Sequence, residues 1–459
     1  MERNQRLVLI IAILGSFVAF LDGSVINVAL PAISEELGGG LSTQQWVVDA
    51  YLITLGALIL VAGSLSDLFG RIAVLRWGMI GFGVASLLCA VAPTGEILVV
   101  ARGLQGVGGA LLVPSSLALI MSSFRGVAQA KAIGQWTAWT SAAFIVGPLI
   151  GGLFVDLMSW RWVFAINVFP IAVTLWLLVI LRQKDARQPG VTVDYLGAVL
   201  AVVGVGAPVF ALIEQGNFGW DSPIILVPLV VGIVAFAAFL WRQRVARHPM
   251  MPLALFARRN FGMGNLATTA IYAALALGGF LITVFLQQVG GYPATLAGLA
   301  LLPETVILML LSSRFGALAG KYGPRLFMTV GPITAGVGTL LMLTVNSEVN
   351  YWAQILPGVL IFGLGLAITV APLTSAILGA IDERQAGIGS AINNAVARVA
   401  GLVAVAALGI IVGYELDLAG FHRGLIATAA LLFLGGLISW AGIRNPQPEV
   451  ERSGEKALA

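Results

Sequence analysis

Residues 63–78 read GSLSDLFGRIAVLRWG, and residues 316–331 read GALAGKYGPRLFMTVG. At a constant offset of 253, Gly63, Leu65, Gly70 and Gly78 fall on Gly316, Leu318, Gly323 and Gly331, and Phe69 falls on Tyr322. Each stretch follows an apolar run of bilayer-spanning length. Two copies of one turn at corresponding places mark a duplicated architecture, the plan of transporters whose substrate site lies between two halves near the bilayer midplane. The offset leaves room for six helices plus one extra pair.

Reading outward from these turns gives the spans. A helix needs about 20 apolar residues to cross a bilayer. Apolar runs between charged or Gly/Pro-rich breaks number fourteen, at 7–31, 46–66, 72–92, 95–120, 133–157, 161–181, 194–214, 222–241, 262–288, 294–313, 325–345, 351–378, 387–413 and 421–443. The extra pair is 194–241, bounded by the basic linkers 182–187 and 242–259. The expected division is an N-terminal six-helix bundle (1–187), an inserted pair (188–245), a C-terminal six-helix bundle (246–445) and a tail (446–459). Arg3 and Arg6 before the first run are like a signal-peptide flank, but no small-residue cleavage site follows, so we read a retained helix.

Composition agrees. Of 459 residues, 59% are hydrophobic and 10% charged, against about 45–50% and about 25% in ordinary soluble domains. That much apolar surface needs lipid as its solvent, which excludes a cytosolic enzyme, a secreted domain and a disordered scaffold. Cys89 stands alone in an apolar run, and His248 and His422 lie in a loop and at a helix edge. Zinc and disulfide chemistry are therefore excluded, and no metal or cofactor is expected. There is no GxxxxGK[ST] phosphate loop, so ATP is not expected to drive the protein directly. The net charge of +4 comes mostly from loop bases and does not point to nucleic acid.

The loop bases set the orientation. With the N-terminus inside, the cytoplasmic segments and adjoining helix ends hold nearly all of the 25 lysines and arginines, among them Arg71, Arg76, Arg125, Arg242, Arg244, Arg247, Arg258 and Arg259. Only Arg161 and Arg423 fall outside, and only Arg102 and Arg398 lie within helices. We expect a multi-pass protein of the cell membrane with both termini cytoplasmic.

Four segments carry a family resemblance. LDGSVINVALP (21–31), GSLSDLFGR (63–71), ARGLQGVGGA (101–110) and GPLIGG (147–152) stand in order on the first, second, fourth and fifth helices. Together they resemble the major facilitator superfamily and, more narrowly, its 14-helix drug:proton antiporter branch, the EmrB/QacA type. Ser24 stands where that branch usually has threonine, Leu68 and Ile72 where bases are usual, and Ala143 replaces an earlier glycine. The resemblance implies a major facilitator fold, all-α and membrane-integral, that exports small molecules in exchange for protons. It also implies a conformational latch at Gly63, Asp67, Gly70 and Arg71, and a helix-bending exporter motif at Gly147, Pro148, Gly151 and Gly152.

The residues carry their own chemistry. Asp22 lies roughly 14 Å from the outer end of the first helix and Arg102 roughly 10 Å into the fourth, at 1.5 Å per residue. An acid at that depth costs about 2.5–3.5 kcal/mol on insertion scales, so it faces a cavity, pairs with a base or is neutral. A carboxyl whose proton affinity changes with access is what antiport requires, and Arg102 is its candidate partner. Glu304 and Arg398 offer a second acid and base, roughly 15 and 17 Å deep, and their similar depth suggests that they pair. Proton coupling is thus assigned to Asp22, Arg102 and Glu304. Substrate contacts are assigned to Asp22, Asn27, Glu304, Asn393, Asn394 and Arg398, with helix packing the alternative for the two asparagines; Trp136, Trp139 and Phe144 stand as aromatic walls or as core packing or lipid contacts. Asp67 is placed to meet a helix N-terminus or a base, and Gly63 to let a helix approach. Gly147-Pro148 breaks the helix hydrogen-bond ladder, and Gly151 and Gly152 flatten one face. Asp49, just after Trp46 near the outer interface, reads as a solvated acid, with a cation-attracting residue at the cavity mouth as the alternative.

Expected partners are a small-molecule substrate, protons and the lipid bilayer, with the protein a monomer. The favoured cargo is amphipathic and cationic. A dedicated exporter of one metabolite, antibiotic or lipid, and a proton-coupled importer, remain open. A membrane-bound enzyme or receptor would need a catalytic cluster or a sizeable soluble domain, and the longest break between spans is only about twenty residues, 242–261.

Overall fold

The computed structural model describes residues 3–181, 185, 193–382 and 385–445. Arg182, Lys184, Arg187, Arg384 and the tail with Arg452 and Lys456 lie outside the described residues. Among the described residues fourteen helices are long and apolar enough to cross a membrane: α1 (Arg3–Leu37), α2 (Gly40–Phe69), α3 (Arg71–Ala90), α4 (Gly95–Ser123), α5 (Gly126–Leu157), α6 (Trp162–Ile180), α7 (Tyr195–Phe218), α8 (Pro223–Val245), α9 (Arg259–Gln288), α10 (Ala294–Tyr322), α11 (Pro324–Thr344), α12 (Tyr351–Leu378), α13 (Ala386–Ala406) and α14 (Leu418–Gly442). They form two six-helix bundles plus an inserted pair, α7 and α8. Several helices outrun their apolar stretch: α1 begins at Arg3 and α5 at Gly126, because the hydrogen-bonded ladder continues into the polar interface where hydropathy falls.

Helix starts follow local chemistry. Thr94 caps α4, Asp194 caps α7, Ser222 followed by Pro223 starts α8, and Asp417 caps α14. Each side-chain oxygen accepts an otherwise orphaned N–H of the first turn. The duplicated turns share one geometry. Gly70 (φ 101°) and Gly323 (φ 85°) both take positive φ, which only glycine adopts without strain. The helix that each glycine opens is capped from the end of its own bundle. Asp185, after α6, accepts from Ile72 N and Ala73 N at 3.2 and 2.9 Å; Asn445, after α14, accepts from Arg325 N at 3.1 Å.

The inserted pair crosses at Gly204, where a Cβ would sit 2.8 Å from Phe236 N. Val205 and Val209 of α7 pack against Ile53 of α2 and against Leu402 and Ala406 of α13, so the pair touches both bundles. Much of its surface, including Val199, Val227, Val230 and Val234, is exposed. We call the side carrying Arg71, Arg125, Arg244 and Arg258 the basic face.

Candidate functional site

A cavity of about 650 Å³ lies between the bundles, walled by α1 and α5 on one side and by α9, α10, α11, α12 and α14 on the other. No residue of α7 or α8 lines it. Its wall is mostly apolar, with a few hydroxyls, the amide of Asn27 and one charged side chain, Glu304. Asn27 and Glu304 are half-buried and make no hydrogen bond or ion pair among the described residues. Glu304 stands in the first turn of the helical segment Leu302–Tyr322, after a break in α10 at Ala300–Leu301. The amide dipoles of that turn favour an anion there. Gly363 of α12 lets this backbone come close: a Cβ there would sit 2.6 Å from Glu304 Cα.

On the side away from the basic face the cavity is sealed by the segment Gly147–Gly152. A Cβ on Gly147 would strike Ser24, one on Gly151 would strike Val25, and one on Gly152 would strike Thr295 Cα. Across the seam, a Cβ on Gly298 would sit 2.9 Å from Pro148 O. Ser24 Oγ donates to Ala143 O at 2.9 Å, stitching α1 to α5. One turn beyond Gly152, the Asp156 carboxylate accepts from Ala294 N and Thr295 N, both at 2.9 Å, and from Thr295 Oγ1 at 2.6 Å. An acid from one bundle thus caps a helix of the other. Gln45 Nε2 adds a second tie, donating to Val405 O and Ala406 O at 2.6 and 3.0 Å. Contact between α5 and α10 is concentrated in Ala294–Leu299, and the long segment of α10 barely touches α5. The cavity therefore opens toward the basic face.

Beside the cavity lies a closed polar network. Asp22 and Arg102 are each 1% exposed and form an ion pair at 2.6 Å. Asp22 Oδ1 also accepts from Gln105 Nε2 at 2.8 Å and Asn167 Nδ2 at 3.0 Å. Arg102 donates to Gln105 Oε1 at 2.7 Å and to Val47 O at 2.8 Å, and its guanidinium lies 4.4 Å from the Tyr51 ring centroid. Ser86 Oγ accepts from Gln105 at 2.9 Å, and Cys89 Sγ reaches Gln105 at 3.7 Å. A buried ion pair persists when its remaining donors and acceptors are satisfied; here both Asp22 oxygens and Arg102 Nε and Nη1 are bonded, while Asn167 Oδ1 has no partner among the described residues. Asp22 does not line the cavity, but Gly23 and Ser24, its chain neighbours, do.

A family model described as Major Facilitator Superfamily matches residues 12–405. The chain belongs to the major facilitator superfamily. Similar proteins include the multidrug resistance protein Stp of Mycobacterium tuberculosis (strain CDC 1551 / Oshkosh), 35% identical over 89% of this chain and 76% of that protein. The methylenomycin A resistance protein of Bacillus subtilis (strain 168) is 34% identical over 95% of this chain and 92% of its own. The puromycin resistance protein pur8 of Streptomyces alboniger is 32% identical over 87% and 80%. A crystal structure of a peptide transporter POT in complex with sulfate matches with a TM-score of 0.70 at 15% identity, over 96% of this chain and 94% of that one. At that identity the match speaks for the fold alone.

Within this facilitator fold several sequence expectations are corrected. Glu304 and Arg398 do not pair. Arg398 lies against Gly56 of α2, with a buried Nε that has no partner among the described residues; equal depth says nothing about which way two helices face. Trp136 leaves the cavity because its Nε1 donates to Ser16 Oγ at 3.0 Å, and Trp139 is 61% exposed on the outer surface. Phe144 alone of that aromatic set lines the cavity. Asn393 bonds Thr268 Oγ1 and Asn265 Oδ1 at 2.9 and 3.2 Å, a packing role, and exposed Asn394 bonds Ser390 O in its own helix. Asp49 is not solvated: it is 0% exposed, with both carboxylate oxygens unpartnered among the described residues. It lies one turn after Gln45, so the α2 face that meets α13 covers it.

At the basic face, among the described residues, Asp67 meets only Arg71, 3.6 Å away, and a Cβ on Gly63 would meet nothing within 4 Å. The anion at the N-terminus of α3 is Asp185. Gln105, Asn167, Ser86 and Asp156 escaped the sequence reading. Gln105 is one helical turn beyond Arg102, a legible signal. Asn167 and Asp156 depend on which helices meet, which spacing along the chain does not report.

Proposed function

We propose that this facilitator is a proton-coupled exporter of amphipathic, cationic drugs or toxic compounds. The observation that carries the reading is the central cavity with Glu304 as, among the described residues, its one charged wall residue, with no base lining it. A monocation about 4 Å from that carboxylate gains about 4 kcal/mol at an effective dielectric of about 20. The apolar remainder of the wall suits a flat or greasy body. The multidrug and antibiotic resistance names of its relatives support export.

The coupling we propose places the proton on Asp22 or Glu304. In the conformation that opens to the basic face, Asp22 is engaged by three donors, and cargo enters beside Glu304. Rocking of the bundles opens the sealed side. Protons arriving there compete with Arg102 for Asp22 and with cargo for Glu304, so the cation leaves. Return to the first conformation releases the proton.

The same proposal places the basic face in the cytoplasm of a cell membrane, because lysine and arginine concentrate in loops that stay inside. It keeps the division at 1–187, 188–245, 246–445 and 446–459, with a monomer as the working unit. The latch at Gly63, Asp67, Gly70 and Arg71 closes, in this scheme, when a helix of the other bundle comes against Gly63.

A second reading, a dedicated exporter of one antibiotic, is favoured by relatives named for single compounds, such as methylenomycin A and puromycin. Proteoliposomes with an imposed pH gradient separate the two. The proposal expects gradient-dependent transport of several unrelated cationic dyes. Transport of a single antibiotic and no dye favours the second reading. Transport that ignores the gradient removes the proton coupling.

A further inference from the structure

A second, larger cavity of about 860 Å³ lies apart from the transport site, between α2, α7 and α8 on one side and α9, α13 and α14 on the other. Every side chain lining it is apolar except Thr269, whose hydroxyl is spent on Asn265 O at 3.1 Å. The cleft has nothing to offer a polar cargo. Phe236, Leu266, Val403 and Leu434 on its walls are exposed, so it opens sideways to the bilayer. Its α13 wall runs from Ile392 to Ala407, roughly 22 Å at 1.5 Å per residue, which exceeds one leaflet of a hydrocarbon core about 30 Å thick.

The end of this cleft at the basic face is framed by the connection between α8 and α9, and Met251 of that connection lines it. Five arginines stand on or beside this connection. Arg242 is engaged by Asp194 at 2.7 Å, and Arg259 by the carbonyls of Gly442 and Ala441. Arg244, Arg247 and Arg258 are exposed and have no ion pair or hydrogen bond among the described residues. An uncharged, chain-length apolar slot thus ends at a connection that carries three exposed arginines with no partner among the described residues. The sign is opposite to that of the central cavity, so a cationic cargo is repelled here.

We infer that this cleft is a binding site for an anionic diacyl phospholipid of the adjoining leaflet, its acyl chains lying against α9, α13 and α14 and its phosphate under Arg244, Arg247 and Arg258. An acyl chain is as comfortable in the bilayer as in the slot, so selection falls on the headgroup, where juxtamembrane arginines favour anionic lipid. The lipid fills the seam through which the inserted pair meets the C-terminal bundle. The inference is independent of what the protein exports.

Native mass spectrometry of the full chain released from nanodiscs tests this. The discs contain phosphatidylglycerol and phosphatidylcholine with identical acyl chains. Wild type is expected to retain phosphatidylglycerol at least tenfold over phosphatidylcholine. Arg244→Gln/Arg247→Gln/Arg258→Gln is expected to lose that preference, and the matching triple lysine variant to keep it, which controls for folding. Ala430→Trp puts a bulky ring into the cleft from an exposed position on α14 and leaves the arginines untouched. It is expected to abolish retention as well. Unchanged retention in the glutamine variant overturns the headgroup assignment. Unchanged retention in Ala430→Trp, with loss in the glutamine variant, moves the lipid to the outer surface and overturns the cleft.

Discussion

Three donors converge on the Asp22 carboxylate, from Arg102, Gln105 and Asn167, and none of the four residues lines the central cavity. Glu304 is the reverse case: it lines the cavity and has no protein partner among the described residues. In the proposed scheme one acid changes partners when helices move, and the other meets cargo directly. Asp22→Asn keeps the size and removes the titration. It is expected to abolish pH-gradient-driven efflux from proteoliposomes while the protein still reaches the membrane folded. Glu304→Gln is expected to slow efflux of cations at least tenfold and to leave neutral compounds within about twofold; one pKa unit already equals about 1.36 kcal/mol, a factor of ten. Normal transport by both single variants and by the double variant would remove the proposed antiport. The pairing of Asp22 with Arg102 was legible from depth and charge, because each helix offers one such residue. The supposed pairing of Glu304 with Arg398 was not, because depth fixes height in the bilayer and leaves the azimuth open. Asp49 misled for a related reason: nearness to the interface in sequence is not nearness to water when a helix of the other bundle covers it.

At the scale of elements, the inserted pair is tied at the basic face through one acid. Asp194 caps α7 through Gly197 N at 2.9 Å and takes Arg242 of α8 at 2.7 Å and Gln243 at 3.2 Å. Burial alone would raise the Asp194 carboxyl, but the Arg242 guanidinium, the Gly197 amide and Gln243 outweigh it and hold the group below its ordinary value. A folded-state pKa below the unfolded one contributes stability above the unfolded value, about 3.9, and the contribution fades as pH falls through the folded value. Asp194→Ala is expected to cost about 1 kcal/mol for the lost cap, with a smaller share from the partly exposed pair. Thermal melts in detergent at pH 7 should show a lower midpoint than wild type, and the gap should narrow below pH 4. An equal gap at both pH values would mean that the charge of Asp194 plays no part. All fourteen helices were legible because lipid demands a long apolar run of each, and that demand is written locally. The duplicated turn was legible because its glycines need positive φ. The cap that Asp185 brings to α3 was not, since it joins segments more than a hundred residues apart.

For the whole molecule, orientation and closure are the open predictions. If the basic face is cytoplasmic, cysteines placed at exposed Arg247 or Arg258 will react with a membrane-impermeant maleimide only in inside-out vesicles; labelling from outside intact cells would invert or break the fourteen-helix topology. Closure rests on the seam between α5 and α10. Asp156 caps Ala294 and Thr295 there with three hydrogen bonds, behind glycines that leave no room for a side chain. Alternating access requires this seam to part once per cycle, because the bundles rock about a site that stays between them. Asp156 is exposed and Thr295 half-buried beside it, so Asp156→Cys with Thr295→Cys is within reach of a short bifunctional thiosulfonate. The native Cys89 is buried and stays unmodified. Losing the Asp156 cap by itself should favour the conformation that opens away from the basic face and should leave transport running. Bridging the two cysteines should instead hold the seam shut and stop efflux, with activity restored when a reductant cuts the bridge. Mass spectrometry counts the bridged fraction, so the remaining rate can be compared with the unbridged remainder. Full efflux from fully bridged protein would show that the seam does not open and that cargo takes another route.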